Sequence, residues 1–482
     1  VRIRLQSCVG RIFRRVSWVC LLSSFQAASA DLPEDIARVV AALGVPTENL
    51  SIVVQDVESD APVLSHLPDI PRNPASVMKL VTTWSALDML GPAYTWPTEV
   101  QFLGSFDGTT LAGDLGFKGY GDPFFVLEEF WKLLRALRRT GLTNVEGDLV
   151  LDDSYFDVRE DDPGAFDGQP FRAYNVVPNA LLVNLKAVQF QFRPNASGKR
   201  VDIVTDPVLP NLEIVNHIDL IGGPCRGYQR GISFNVPDPV QADRVVFEGA
   251  FSQNCTVYGM TRTVLQHDDY TLGVFDALWR ELGGRFRGSV RRADLADNGS
   301  PEIIWESRPL AEILRSVNKN SNNVMTRQLL YTIGASVYGE PATREKGIQA
   351  IMEHLAEQGI DVEPLHLVNG AGLSREGRVS AHLLIDLLRL AYRGPYAAEF
   401  LSSLSIGGVD GTTRGRFDAY SGNGRLHVKS GRVDHVSALA GFAHAPTGHT
   451  YAFAILINDE DAHRGPGQEI EESVLRWIFT GQ

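Results

Sequence analysis

Lysine is rare in this chain of 482 residues: eight occur, among 45 basic residues set against 58 acidic ones, for a formal net charge of −13. Such a balance lacks the basic surface that binding a phosphate backbone demands, so nucleic acid is not an expected partner. Cysteine is scarcer still, with four residues. None shows the close Cys-x-x-Cys spacing of a metal or redox pair. The 11 histidines include no His-Glu-x-x-His or other ligand spacing, so neither a metal nor an organic cofactor is expected. Beyond the first 30 residues no apolar run approaches the roughly 20 residues that span a bilayer. There is no internal repeat and no low-complexity segment.

What is there begins with residues 1–30, where Arg2, Arg4, Arg11, Arg14 and Arg15 precede an apolar stretch around Trp18–Phe25 and the small residues Ala28-Ser29-Ala30. This reads as a secretory signal peptide removed before Asp31, which places the mature protein in the periplasmic or cell-wall space. Cys8 and Cys20 leave with it. In an oxidising compartment the remaining pair, Cys225 and Cys255, reads as a structural disulfide.

The length exceeds what one core supports, so two or three domains are expected. "LSIVVQDV" at Leu50–Val57 reads as a strand, and after a proline-rich connection a helix is expected from Pro74 to Gly91, its apolar face carried by Val77, Leu80, Val81, Trp84 and Leu87. From Thr98 the pattern changes to short strands turning at Asp107-Gly108, with helices near 126–139 and 272–282. Residues 158–245 mix strand-like runs with Pro, Gly and Asn. Helices return at Leu310–Asn318, Asn323–Val337, Arg344–Gln358 and Ala381–Ala391, then strands at Leu426–Val428, Val436–Ala443 and Thr450–Asn458 and a helix at Gln468–Phe479. The simplest architecture is one α+β domain split by an insertion of about 200 residues, too long for a loop without its own core.

Three short stretches carry the chemistry. "ASVMKL" sets Ser76 one turn before Lys79, and on a helix the two share a side. Taken alone, the pair reads first as a helix-capping serine with Lys79 pointing into water. "NKNSNNVM" supplies Ser321-Asn322-Asn323 at a helix start, and "HVKSGRV" supplies Lys429-Ser430-Gly431 on a strand. Look-alikes exist at Ser316/Lys319, Ser252-Gln253-Asn254, Ser421-Gly422-Asn423 and Arg139-Thr140-Gly141, but only one ordered set falls on helix start, helix start and strand. With eight lysines in all, two in the required slots are informative. Acyl transfer through a serine needs a base, a proton path to the leaving amine and oxyanion donors. Lys79 is the candidate base and Lys429 a fixed charge. A lysine with an ordinary pKa near ~10.4 must shift by about 3 units, about 4 kcal/mol, to act as base near neutrality. Burial, a helix N-terminus and the second cation supply the means. Ser321 would relay the proton, Asn323 would hold the substrate amide, and the backbone N–H groups of Ser76 and Arg432 would face the oxyanion.

The three motifs match the Ser-x-x-Lys, Ser-x-Asn, Lys-Thr-Gly set of penicillin-recognising serine enzymes. Together with "GYGDP", "SRPLAEILRSVNKNSNN", "NGAGLSREGRVS", "GVDGTTRGR" and "KSGRVDHVSALAGFA", they make the chain resemble the class C low-molecular-mass penicillin-binding proteins, the D-alanyl-D-alanine carboxypeptidase/endopeptidases. The long insertion between the first two motifs separates it from class A β-lactamases. The resemblance implies a transpeptidase-like catalytic domain at 31–97 and 298–482, interrupted by two nested strand-rich domains at 98–157 with 246–297 and at 158–245. It implies hydrolysis of D-Ala-D-Ala termini or D-Ala-diaminopimelate cross-links of peptidoglycan stem peptides, and inhibition by β-lactams. It also places Arg375 and Asp153 where the family clamps a diaminopimelate side chain. Ser430 replaces the usual threonine and keeps its hydroxyl, while Arg432 stands beside the terminal-carboxylate site, able to pair with that group or to narrow the pocket. A serine β-lactamase and a non-catalytic peptidoglycan-binding scaffold are the alternatives.

Overall fold

The computed structural model describes residues 32–159, 161–225, 227, 231–295, 300–417 and 424–480. The expected leader, the domain limit at 297/298 and the Ser421-Gly422-Asn423 look-alike lie outside them. Among the described residues no helix is long and apolar enough to cross a membrane.

The catalytic half is built on an antiparallel sheet in the order Ser405–Ile406, Leu426–Val433, Val436–His444, Thr450–Asn458, Leu50–Asp56, Leu64–His66. Side chains alternate between faces with a period of two. Ala438, Ala440, Phe442, Ala452, Ala454 and Leu456 meet helices carrying Leu80, Leu314, Leu329 and Leu384. Leu439, Ala443, Phe453, Ile455 and Ile457 face the opposite way, onto Ile36, Val40, Ile470, Val474 and Ile478 of the helices Glu34–Leu43 and Pro466–Thr480. Both faces are covered, which is why "VSALAGFA" and "YAFAILI" read as continuous apolar runs rather than alternating ones.

The insertion opens with the hairpin Pro97–Phe106 and Thr110–Gly119. It turns at the expected dipeptide, where the Asp107 carboxylate accepts the N–H groups of Thr109 and Thr110 and Gly108 takes a left-handed φ of 98°. Two strand pairings run across the expected limits. Ile303–Glu306 pairs with Pro97–Val100, so the accessory sheet continues past the expected catalytic restart at 298. The expected return at 246 falls inside Arg244–Ser252, a strand paired in parallel with Glu213–Ile221, so the inner module runs on. A second small sheet joins Tyr258–Thr263, Ala187–Pro194 and Val201–Asp206. The disulfide Cys225–Cys255 forms in this inner module as expected.

Insertion and catalytic half are joined where it matters for the site. Val176 and Leu182 pack on Val324 of the helix Asn323–Tyr338. One turn further, Gln328 exchanges two hydrogen bonds with the Asn179 backbone at 2.9 and 3.0 Å.

Candidate active site

The expected continuous helix from Pro74 is instead a 3₁₀ turn, Ala75–Met78, feeding an α-helix at Lys79–Leu90. At three residues per turn, Ser76 and Lys79 eclipse each other. Ser76 accepts no helix-capping N–H; its Oγ lies 3.0 Å from Lys79 Nζ, which removes the cap reading. The turn is set up by Asn73, whose Oδ1 accepts the Ala75 N–H at 2.9 Å and whose own N–H and C=O are held by the Asn458 side chain at 2.8 and 2.9 Å. Ala75 takes a φ of 45°, a strained conformation for a residue with a β-carbon.

Lys79 is fully buried. Its ammonium position is filled by three oxygens, Ser76 Oγ, Asn323 Oδ1 at 2.6 Å and the Ala371 carbonyl at 2.6 Å. None is a carboxylate. Burial first, then the charges of Lys429 and Arg327, hold its pKa well below the ordinary lysine value. A neutral amine at this distance can accept the serine proton.

The second half of the cluster comes from the turn between helices Leu310–Lys319 and Asn323–Tyr338. Asn322 caps the latter through Met325 N–H at 3.0 Å, and Ser321 sits in the left-handed region at φ 54°. That geometry delivers Ser321 Oγ to Lys429 Nζ at 2.9 Å. Lys429 is also fully buried, donates to the Ser430 carbonyl at 2.8 Å, and is lowered by burial to about 7. The expected fixed charge is therefore itself titratable near neutrality. Ser430 Oγ meets Thr412 Oγ1 at 2.8 Å, on a loop anchored by Lys319 to Asp410 at 2.6 Å. The Ser316/Lys319 look-alike is thus a loop anchor, and Ser252 spends its hydroxyl on the Gly223 carbonyl.

Gly431 closes the two halves together: a β-carbon there would lie 2.9 Å from the Ser76 nitrogen and strike the Pro74 carbonyl. Arg432, next on the strand, is exposed and stands opposite Ser437 in the hairpin.

Arg375 and Asp153 have different partners. Arg375 lines a cavity of about 340 Å³ with Arg327, Arg344, Asn369, Asp161 and Asp162 among its neighbours. Its guanidinium pairs with Asp434 at 3.1 Å and lies over the Phe166 ring. Asp153 is engaged elsewhere, accepting from Asn179 at 2.6 Å and facing Arg292 at 3.4 Å. The carboxylates lining the Arg375 cavity are those of Asp161, Asp162 and Glu376. Sequence reading missed Arg327, Ala371 and Thr412 as site neighbours. Thr412 and Ala371 lie in the quoted segments "GVDGTTRGR" and "NGAGLSREG", whereas a lone arginine on a helix gave no signal.

Among the described residues no group of three or more His, Cys, Asp or Glu side chains could hold a metal. A hydroxyl beside a buried, depressed amine, with a second hydroxyl–lysine pair across the same cleft, defines a serine enzyme of the acyl-transfer class. The chain belongs to the D-Ala-D-Ala carboxypeptidase 3 (S13) family, whose model matches residues 32–477. It is a serine-type DD-peptidase, with the mixed α+β fold of that class. The D-alanyl-D-alanine carboxypeptidase of Actinomadura sp. strain R39 is 27% identical over 452 residues, covering 90% of this chain and 82% of that protein. Penicillin binding protein 4 (DacB) of Haemophilus influenzae superposes with a TM-score of 0.78 at 22% identity, covering 92% of this chain and 98% of that one. The same protein in complex with a novel β-lactam superposes at 0.73, with 22% identity and coverage of 91% and 98%.

Proposed function

We propose that Ser76 is the nucleophile of a cell-wall DD-peptidase that acts on peptidoglycan stem peptides. Lys79 Nζ takes the Oγ proton as Oγ attacks the carbonyl of the penultimate D-alanine. The oxyanion is met by the Ser76 and Arg432 N–H groups. Ser321, bridged to Lys429, relays that proton from Lys79 to the leaving amine, the C–N bond breaks, D-alanine or an amino-terminated peptide departs, and Lys79 is left neutral. Water then attacks the ester, giving a proton to Lys79; the acyl C–Oγ bond breaks, Lys79 returns the proton to Ser76 Oγ, and the acid is released. Asn323 holds the substrate amide, and Lys429, Ser430 and Arg432 receive the terminal carboxylate, Arg432 being able to bind it bidentately. On the acyl side the substrate runs toward the cavity that Arg375 borders.

The observation that carries this reading is the 3.0 Å approach of the buried Lys79 amine to Ser76 Oγ, with no carboxylate among its three partners. The matched β-lactam complex of the Haemophilus influenzae protein supports β-lactams as inhibitors that acylate the same serine. The arginine-rich leader supports export, to the periplasmic or cell-wall space.

Intact-mass spectrometry after exposure to benzylpenicillin tests the reading. The expected result is a long-lived adduct on the wild type and none on Ser76→Ala. Labelling of both proteins, or of neither, overturns it. A wild-type adduct that turns over rapidly identifies a β-lactamase instead.

A further inference from the structure

Glu471, on the helix Pro466–Thr480, is 1% exposed, and its helix neighbours Ile470, Val474 and Leu475 belong to the apolar cluster on one face of the central sheet. A carboxylate there is costly unless it is paired, and an apolar residue of similar size would stabilise such a core as well or better. Both of its oxygens are engaged. Oε1 accepts the Ser437 hydroxyl at 2.6 Å, and Oε2 accepts Arg416 Nη2 at 2.9 Å. Burial pushes its pKa up, and Arg416, Ser437 and Arg432 oppose that shift.

The two partners lead to the leaving-group side of the cleft. Ser437 stands directly opposite Arg432, which follows Gly431 on the strand of Lys429. Arg416 ends the loop that carries Thr412, with its guanidinium over the Phe417 ring, and Phe417 packs into the same apolar cluster as the helix. At the other end of the loop Asp410 accepts Lys319 Nζ at 2.6 Å and the Ile406 N–H at 2.7 Å. Between these anchors the Thr413 carbonyl accepts the N–H groups of Gly408 at 3.2 Å and Arg416 at 3.1 Å, which closes the loop on itself. Thr412, exposed, is thereby set 2.8 Å from Ser430 Oγ. Two hydroxyls that share one hydrogen bond keep one O–H free for an anion.

We propose that Glu471 is a positioning residue for the leaving-group side of the cleft: through Arg416 it holds Thr412 against Ser430, so that the hydroxyl pair meets the leaving group's carboxylate together. This rests on the carboxylate reading of Ser430 above. The Lys319–Asp410 pair fixes one end of the loop. Glu471 orients the other, which apolar contact at Phe417 cannot do because such contact has no direction.

The test uses two thioesters, diacetyl-L-Lys-D-Ala thioglycolate and its methyl ester, which transfer the same acyl group to Ser76 and differ only in the carboxylate of the leaving thiol. The readout is the ratio of their kcat/KM values, acid over ester, followed by released thiol. The wild type should favour the acid. Glu471→Ala should lower the ratio about 10- to 100-fold, the range of a hydrogen bond to a charged group, and Glu471→Gln, which keeps one acceptor oxygen, should retain part of it. Thr412→Val should lower the ratio as Glu471→Ala does, and the double variant should fall no further than either single one. A merely structural role for Glu471 would slow both thioesters equally, so an unchanged ratio overturns the proposal, as do additive losses. An unchanged ratio in Thr412→Val overturns it without any Glu471 variant needing to fold. A wild type that turns over both thioesters without favouring the acid refutes the carboxylate reading and the proposal with it, whereas one that turns over neither refutes the serine chemistry beneath both.

Discussion

Gly431 faces the backbone nitrogen of Ser76 so closely that a single added carbon would sit 2.9 Å from it. The strand that carries Lys429 and the turn that carries Ser76 are thus in direct backbone contact.

From this contact, Gly431→Ala should lower the acylation rate by about 100-fold or more. The strand must retreat from the Pro74–Ser76 turn, and a loss of one oxyanion donor costs about that much. Stopped-flow acylation by a chromogenic β-lactam measures it. A rate within threefold of wild type would show that the strand does not supply the oxyanion site.

The pH profile of kcat/KM should be bell-shaped. Lys79 must be neutral, so the rate rises with pH through a value that burial, Lys429 and Arg327 depress below the ordinary lysine range. Lys429 must be protonated to hold a carboxylate, so the rate falls as pH passes its lowered value of about 7. A bound substrate carboxylate favours charged Lys429, so the falling limb of kcat should lie at higher pH than that of kcat/KM. Coincident limbs would remove Lys429 from carboxylate recognition.

Asp122 gives a stability prediction. Burial first, and Glu129 second, raise its pKa from 3.8 to about 7, while its Oδ1 accepts the Phe124 N–H at 2.7 Å and its Oδ2 is buried without a partner. For an acid with a raised folded pKa, the folded state binds more protons than the unfolded one between those two values, so stability falls as pH rises through that window. Asp122→Asn keeps the acceptor and cannot ionise. Its stability advantage should grow from near zero at pH 4 to about 4 kcal/mol at most by pH 8, read by urea unfolding at several pH values. A gap independent of pH would contradict this.

Cys225 and Cys255 close a loop of 30 residues in the inner module. Replacing both by serine should destabilise that module by about 3–4 kcal/mol on loop-entropy grounds. Penicillin acylation at Ser76 should persist at ambient temperature, because the bridge touches no member of the site. Calorimetry against labelling separates the two effects.

That Ser76, Lys79, Ser321 and Lys429 would be neighbours was legible because lysine is rare and the contexts are specific: two of eight lysines fell into slots that a helix start and a strand then occupied. The helix at Ser76 was misread in kind, since apolar spacing does not distinguish a 3₁₀ turn from the α-helix it feeds, and the distinction rests on the distant Asn458 side chain. Strand pairings closed by long-range contact, such as Ile303–Glu306 on Pro97–Val100, leave no local mark. Arg327 was invisible for a similar reason. A charged residue on a helix normally faces water, and only the insertion's carbonyls bury this one.

The central sheet sets the order in which the enzyme matures. Strand Leu50–Asp56 takes its main partner from Thr450–Asn458, about 400 residues later. The early strand must wait for the hairpin that brings Lys429, while the modules encoded in between can collapse on their own contacts. Ser76 is therefore made early, and a chain stalled short of that hairpin holds it without Lys429 and the strands that surround it.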